Sequence, residues 1–343
     1  MKRSGATIAT VVVGLILIVL APVWRWVVAP QFMKVPDNID IASIYKGSLT
    51  LYVDPQNMTI YPKGKEVSIP LAITRRNTSK PGKSDSTAAV IKERLEARDP
   101  AGNTMIEWTR YYALDRKNSQ NVAGHNSDTD RQGYYIMLPM GAKKTTYQMW
   151  DEDLKNTGGA KFFKVDTRQG EKHKDVKVFV FKVTGTAEPM VKPPIGLPAT
   201  LPGKTIKVIL DDPNIALPDE TMFPIEYLKK TEATLVAEPR TGALVDIPMY
   251  REEYYANAAL PGQNPNLLLL AVLDYKQTAA SVSKVVDDSA GYFGLLDLVT
   301  VWLPVIFLVV GLILLLIGIF PGRKRAARVV EPEAEKTEPP RSG

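Results

Sequence analysis

The stretch LVTVWLPVIFLVVGLILLLIGIF, residues 298–320, runs for twenty-three residues without a charge. At 1.5 Å per residue a helix of that length covers about 34 Å, enough to cross a hydrocarbon core of ~30 Å with some tilt. Trp302 lies near one end, where an amphipathic ring suits the membrane interface. Pro304 sits in the first turns, a kink that is tolerated when neighbours satisfy the freed carbonyl. Pro321 and Gly322 stop the run, and Arg323, Lys324, Arg325 and Arg328 follow it. The pattern predicts a transmembrane helix over 298–320, then a basic stop and a disordered cytoplasmic tail over 321–343. A buried core helix is the alternative reading.

Working outward, a second apolar run spans 6–23, with no charge until Arg25. A cleaved signal peptide has a shorter apolar region, about 7–15 residues, ending at small residues. Here Trp24, Arg25 and Trp26 follow instead. Residues 1–28 are therefore read as a short cytoplasmic start and an uncleaved signal-anchor helix. Lys2 and Arg3 precede this span, and the other basic cluster follows the last one. The positive-inside rule then places both termini in the cytoplasm and the protein in the plasma membrane. The main domain, 29–277, is expected to be extracytoplasmic.

The chain has 343 residues, 45% hydrophobic and 23% charged, which excludes disorder throughout. Its net charge of +6 is matched by the six basic residues beside the spans, and Glu331, Glu333, Glu335 and Glu338 outnumber Lys336 and Arg341 in the tail. The stretch between the spans is nearly neutral, so the basicity is a topology signal and no nucleic-acid partner is expected. Cysteine is absent, which removes disulfides, thiolate metal sites and a cysteine nucleophile. His125 and His173 are the two histidines, both in polar stretches.

Between the spans, short runs rich in Val, Ile, Thr, Tyr and Phe alternate with turn signals. Strands are predicted at 48–53, 67–74, 105–114, 134–138, 145–150, 161–165, 176–183, 206–210, 233–237, 243–247 and 267–275. The spacing predicts a mainly β, antiparallel multi-stranded ectodomain, a sandwich or curved half-barrel between the two transmembrane helices. Asp99-Pro100-Ala101-Gly102 and Glu238-Pro239-Arg240-Thr241-Gly242 carry turn chemistry. So does Asp115-Arg116-Lys117-Asn118, without a proline. Residues 75–86 and 118–132 are polar and read as loops. The proline-rich stretch 186–204 cannot be a central strand; it would join lobes at 34–185 and 205–277. Over 278–297 the period becomes helical, with Val282, Val285, Val286, Ser289, Phe293 and Leu296 on one stripe. That predicts an amphipathic juxtamembrane helix.

Two strands look apolar on both faces. In 176–183, Val176, Val178 and Val180 point one way, and Phe179, Phe181 and Val183 the other; 267–273 holds no polar residue. Both faces must be covered, by a second protein layer or by a ligand in an apolar groove. Phosphate loops, zinc-protease and serine-elbow motifs are absent. Asp151-Glu152-Asp153 reads first as a solvated turn; the lesser reading is a cation site or a hydrolase or transferase of envelope polymers. No catalytic residue, metal or cofactor is assigned.

Residues 133–151, GYYIMLPMGAKKTTYQMWD, resemble a P-G-x-x-K-x-x-Y-x-x-W-D signature of the actinobacterial PorA-type porin family. Tyr112-Ala113-Leu114-Asp115-Arg116 is similar to that family's strand end, with Asn118 in place of its usual Thr. Val236-Ala237-Glu238-Pro239-Arg240-Thr241-Gly242 resembles its hairpin. The resemblance extends over nearly the whole chain. It implies an envelope location, no known catalytic residues, and an association with lipid and lipoglycan handling. The expectation is a non-enzymatic, membrane-anchored envelope protein whose β domain binds or helps move an envelope lipid, glycolipid or partner membrane protein. The ligand-binding candidates are Tyr134, Tyr135, Trp150, Phe179 and Phe181. The alternative is a channel-forming porin subunit. It would need oligomerised helices or another membrane, because the strands show no lipid-facing apolar band with aromatic girdles.

Overall fold

The computed structural model describes residues 5–54, 59–194, 197–209, 216–257 and 267–320. In chain order it shows helix α1 (Gly5–Val23), then strands β1 (Asp40–Leu51), β2 (Val67–Ser79), β3 (Ala88–Arg98) and β4 (Thr104–Asp115). Next come β5 (Tyr147–Asp151), β6 (Asn156–Arg168), β7 (Val176–Thr184), and the short β8 (Glu188–Pro189) and β9 (Thr200–Pro202). Helix α2 (Gly203–Ile209), β10 (Met222–Pro224), β11 (Glu226–Ala237), β12 (Leu244–Asn257) and β13 (Leu267–Gln277) follow. Helices α3 (Ala279–Asp297) and α4 (Leu303–Ile319) complete the order. The chain divides into two units, Met1–Ala29 with Val299–Gly343, and Pro30–Leu298.

In the first unit α1 and α4 pack antiparallel. A Cβ on Gly14 would stand 2.8 Å from the Gly311 carbonyl, and Gly318 lies against Val11 and Thr7. Small residues at such crossings let two backbones approach in a membrane, where packing replaces the hydrophobic drive. At the other end the Trp24 indole donates to the Val299 carbonyl at 2.9 Å, and Arg25 donates to that of Thr300. Pro304 explains both bonds. It has no N–H, so the carbonyls four and five residues before it lack their helical partner. Both helical stretches are long and apolar enough to span a membrane. Because α1 and α4 are antiparallel, Gly5 and Ile319 lie at the same end of the pair.

The second unit is built on one antiparallel sheet curled into a half-barrel, ordered β4-β3-β2-β1-β13-β12-β11-β7-β6-β5, with β8 beside β11, and β9 and β10 form a separate two-stranded sheet. Strands from 34–185 and 205–277 share this sheet, since β1 pairs with β13 and β7 with β11. Segment 119–137 ties its two open edges. Val122 and Asp128 donate backbone N–H to Ala113 and Tyr111 of β4, while Tyr134 exchanges hydrogen bonds with Gln148 and Trp150 of β5.

The doubly apolar strands are covered by the chain itself. Phe179 and Phe181 face the inside with Leu71, Ile73, Leu235 and Leu273. Val176, Val178 and Val180 face outward, under Val285, Val286 and Ala290 of α3. In β13, Leu268 and Leu270 join Leu201, Ile206 and Tyr227, whereas Leu273 joins the inner core. The Thr278 hydroxyl caps α3 by accepting from the Ser281 N–H.

Four local expectations differ from the structure. Of the strand predicted at 206–210, residues 206–209 are helical in α2, and 210 lies outside the described residues. A five-residue alternating run fits either period. The predicted strand 134–138 is an irregular segment with isolated bridges at Tyr134 and Met137 and bends between them, flanked by Gly133 (φ 61°) and Pro139. The predicted loop 75–86 begins as strand, with β2 reaching Ser79. Finally, β3 escapes the pattern because Lys92, Glu93, Arg94 and Glu96 break its apolar alternation. The predicted tail 321–343 lies outside the described residues.

Candidate functional site

The register places Ile69, Leu71, Ile73, Arg75 and Asn77 of β2 on the inner face, beside Ala97, Leu95, Glu93 and Ile91 of β3. Ile106, Trp108, Arg110 and Tyr112 of β4 pair with that β3 row. The inner face therefore mixes apolar and polar positions. Leu49, Ile69, Leu95 and Ile106 are apolar and only partly buried, and Leu95 is the direct cross-strand partner of Arg75. Beside them stands a band of tyrosines and charges.

On one side of that band Lys229 is buried among three carboxylates, Asp151 at 3.1 Å, Asp153 at 2.7 Å and Glu252 at 2.7 Å. Tyr250 and Tyr254 donate to the two oxygens of Glu252 at 3.0 and 2.7 Å. Burial would push the Lys229 ammonium down. Glu252, Tyr254, Asp151 and Asp153 outweigh it and hold the ammonium well above its ordinary value. Burial, then Glu252, raises Tyr250, Tyr254 and Tyr275.

Tyr275 continues the band, stacked on Tyr250 with centroids 4.6 Å apart and edge-on to Tyr45 at 5.4 Å. Arg75 lies 5.1 Å over Tyr135, which stacks on Tyr112 at 4.8 Å. Arg75 also pairs through Nε with Oε1 of the fully buried Glu93. Arg131 lies 4.0 Å over the Tyr112 ring and donates to Glu152 at 2.8 Å. Glu152 also accepts from the Trp150 indole at 2.8 Å. Burial would raise Glu152, but Lys155, Trp150 and Arg131 hold it below its usual range. Burial and the nearby Glu93 push Tyr135 up to about 12. At Lys229, Glu152 and these tyrosines the shifts run away from neutrality, which suits binding and rigidity better than proton transfer.

The sequence candidates divide between the two environments. Tyr134, Phe179 and Phe181 meet in the packed interior. Tyr147 bridges Tyr134 and Phe181 edge-on at 5.3 and 5.6 Å, and Phe162 touches Phe179 and Phe181 at 5.7 and 6.0 Å. Tyr135 and Trp150 belong to the polar band. Sequence reasoning missed Arg75, Glu93, Arg131, Lys229 and Glu252. The usable signal was one charge at an inward position of an alternating strand, as in Ile69-x-Leu71-x-Ile73-x-Arg75. The Asp151-Glu152-Asp153 cluster opens a half-buried turn, and its carboxylates are engaged by Lys229 and Arg131. Among the described residues no His, Asp and Glu group could hold a metal ion.

The motif segments are structural and two of them meet. Leu138 donates to the Gly242 carbonyl at 2.8 Å, Gly141 to Arg240 at 3.1 Å and Ala142 to Pro239 at 2.7 Å. A Cβ at Gly242 (φ 73°) would collide with the Leu138 carbonyl, so the hairpin's glycine is required by this docking. Glu238 is buried under its own turn, accepting from the Thr241 N–H and hydroxyl, both at 2.8 Å. Arg116 pins the segment after α1, donating to the Val35 carbonyl at 3.0 Å.

Residues 6–320 match the family described as Porin PorA. The chain belongs to that family. The PorA match takes in both spans and the whole half-barrel. No curated protein is similar to the chain at a significant level. Among solved structures, a protein of Bacteroides fragilis assigned as exported, with a YmcC-like fold, shares 10% identity. It covers 70% of this chain and 95% of its own, with a TM-score of 0.19. A protein of Chloroflexus aurantiacus assigned as a MaoC-domain dehydratase shares 9%, covering 77% and 80%, with a TM-score of 0.12. At such scores neither likeness supports a functional argument for this PorA chain.

Proposed function

We propose that this PorA-family protein is a non-enzymatic, membrane-anchored envelope protein whose half-barrel faces away from the cytoplasm and receives an amphiphile. The observation that carries this reading is the mixed inner face. Partly buried Leu49, Ile69, Leu95 and Ile106 offer apolar contact, and the neighbouring band around Arg75, Glu93, Tyr135 and Lys229 offers polar contact. An acyl chain with a polar headgroup calls for both kinds of contact. The basic residues at 2–3 and 323–328 support cytoplasmic termini.

The family's description carries the channel reading. It asks for a polar path through the spans, but α1 and α4 hold no charged residue and close on each other through Gly14 and Gly311. Lipid extraction from protein purified out of its own membranes tests the amphiphile reading. A lipid in near one-to-one ratio, depleted in Leu95→Asp, is expected. Protein free of lipid that conducts ions in a planar bilayer would replace this reading with the channel.

A further inference from the structure

Strand β6 outruns its outer neighbour. β5 pairs with it only from Asn156 to Ala160, and over 161–168 it pairs with β7 alone among the described residues. The Thr167 N–H donates to Asp166 Oδ1 at 3.0 Å, as a group on the unpaired side of a strand does. Val165, two residues earlier, presents its N–H to the same side by the alternation of an antiparallel ladder. Phe163 occupies a bulge between Phe162 and Lys164 and is 54% exposed, and Val165 is 39% exposed. Beyond the bulge the register with β7 is regular from Lys164 opposite Val180 to Arg168 opposite Val176. The free edge is therefore straight, open and partly apolar.

The charges along this edge define what it would accept. Lys161 lies directly opposite Lys182, and Lys182 Nζ stands 4.0 Å over the Phe163 ring. Neither lysine meets a carboxylate among the described residues. Like charges at opposed positions weaken a sheet unless an anion stands beside them. Asp166 does not serve them, because Lys164 at 3.0 Å and Arg168 at 3.2 Å already hold it. The register puts Lys161, Lys182 and Lys164 on the outer face, and Phe162 and Val165 on the inner face with Phe181 and Phe179. A row of unpaired backbone groups is matched by another backbone, which neither a lipid nor a sugar polymer carries. The lysines repel a second β6 and attract a strand of opposite charge. We propose that the 161–168 edge of β6 docks an extended acidic segment of a partner protein, which joins the sheet as an added strand. Its side chains alternate, acidic against Lys161 and Lys182 outside and apolar against Val165 inside. This surface is independent of the amphiphile reading above.

Fluorescence anisotropy with the full chain in a zwitterionic detergent tests this with labelled peptides of about eight residues, the length of the open edge. One alternates Val and Glu, a second is the same peptide with every backbone amide N-methylated, and a third alternates Val and Lys. The variants are Lys161→Glu combined with Lys182→Glu, and Val165→Pro, which removes an N–H from the open side and leaves both lysines in place. The charge reversal keeps the test valid if Val165→Pro fails to fold. The expected result is saturable binding of the Val-Glu peptide by the wild type, about tenfold weaker for each folded variant and for the N-methylated form. The charge-reversed chain should in turn gain binding of the Val-Lys peptide. Equal binding of the methylated and unmethylated peptides overturns strand addition and leaves a plain ionic contact, as an anionic polymer would make. Val-Glu binding that ignores the charge reversal, or no Val-Glu binding at all, overturns the docking edge. Self-association of the wild type that Val165→Pro abolishes makes a second copy the occupant and overturns the acidic partner.

Discussion

The indole nitrogen of Trp24 donates to the carbonyl of Val299 at 2.9 Å, across the two helices that flank the sheet domain. Val299 needs an outside donor because Pro304 cannot supply one. Trp24→Phe is therefore expected to lower the stability of the detergent-solubilised chain by about 1 kcal/mol. The loss should be smaller in a Pro304→Ala background, where an amide N–H returns. A double-mutant cycle read by thermal melting checks this coupling.

Gly311 faces Gly14 with no room for a side chain. Gly311→Val should separate the helices and lower the melting temperature, while Gly291→Ala, inside α3 with nothing within 4 Å, should hold or slightly raise it because alanine suits a helix interior better than glycine. The same melting assay compares the two.

Asp287 on α3 accepts backbone N–H groups from Glu171 at 2.8 Å, Lys172 at 3.1 Å and His173 at 2.9 Å. Burial by itself raises this carboxyl, but the donors from Lys172, His173 and Glu171 bring it down to about 2 from an ordinary 3.8. With the folded value depressed, the clamp's contribution is fully present above about 3.8 and is lost as pH falls through about 2. Amide exchange at 171–173 should stay protected at pH 5. Asp287→Asn should expose those amides already at pH 5, which hydrogen-exchange mass spectrometry reads directly.

Lys229 is the cation shared by Asp151, Asp153 and Glu252. Lys229→Met should destabilise the fold by about 3–5 kcal/mol by leaving buried carboxylates unpaired. Adding Asp151→Asn and Glu252→Gln should recover part of that loss. Denaturant unfolding followed by near-ultraviolet circular dichroism measures both.

The absence of native cysteine makes topology directly testable. A cysteine at exposed Lys117 should react with a membrane-impermeant maleimide on intact cells, and one at Ser342 only after lysis. The reverse pattern would overturn the proposed orientation.

The spans were legible because an uninterrupted apolar run has few other readings, and β7 because its two faces are both apolar. What could not be read was the polar interior. Glu93 sits within Lys92-Glu93-Arg94-Leu95-Glu96, a stretch with the composition of a surface loop. Only pairing with β2 reveals that Glu93 faces Arg75 while Arg94 faces solvent. Lys229 was hidden for the same reason, since its three carboxylates come from residues 151–252. Tyr135 and Trp150 were found through the motif, yet the partners that define their surroundings lie on other strands. The helical pattern of α3 was visible, but not that it would cover the outer face of β7.

The antiparallel packing of α1 and α4 fastens the half-barrel to the bilayer by both of its ends. One proteolytic cut in the mostly exposed 123–130 stretch would leave two fragments, each still held by its own helix. Shedding the domain would take a cut on each tether, so a nick at one place cannot release it.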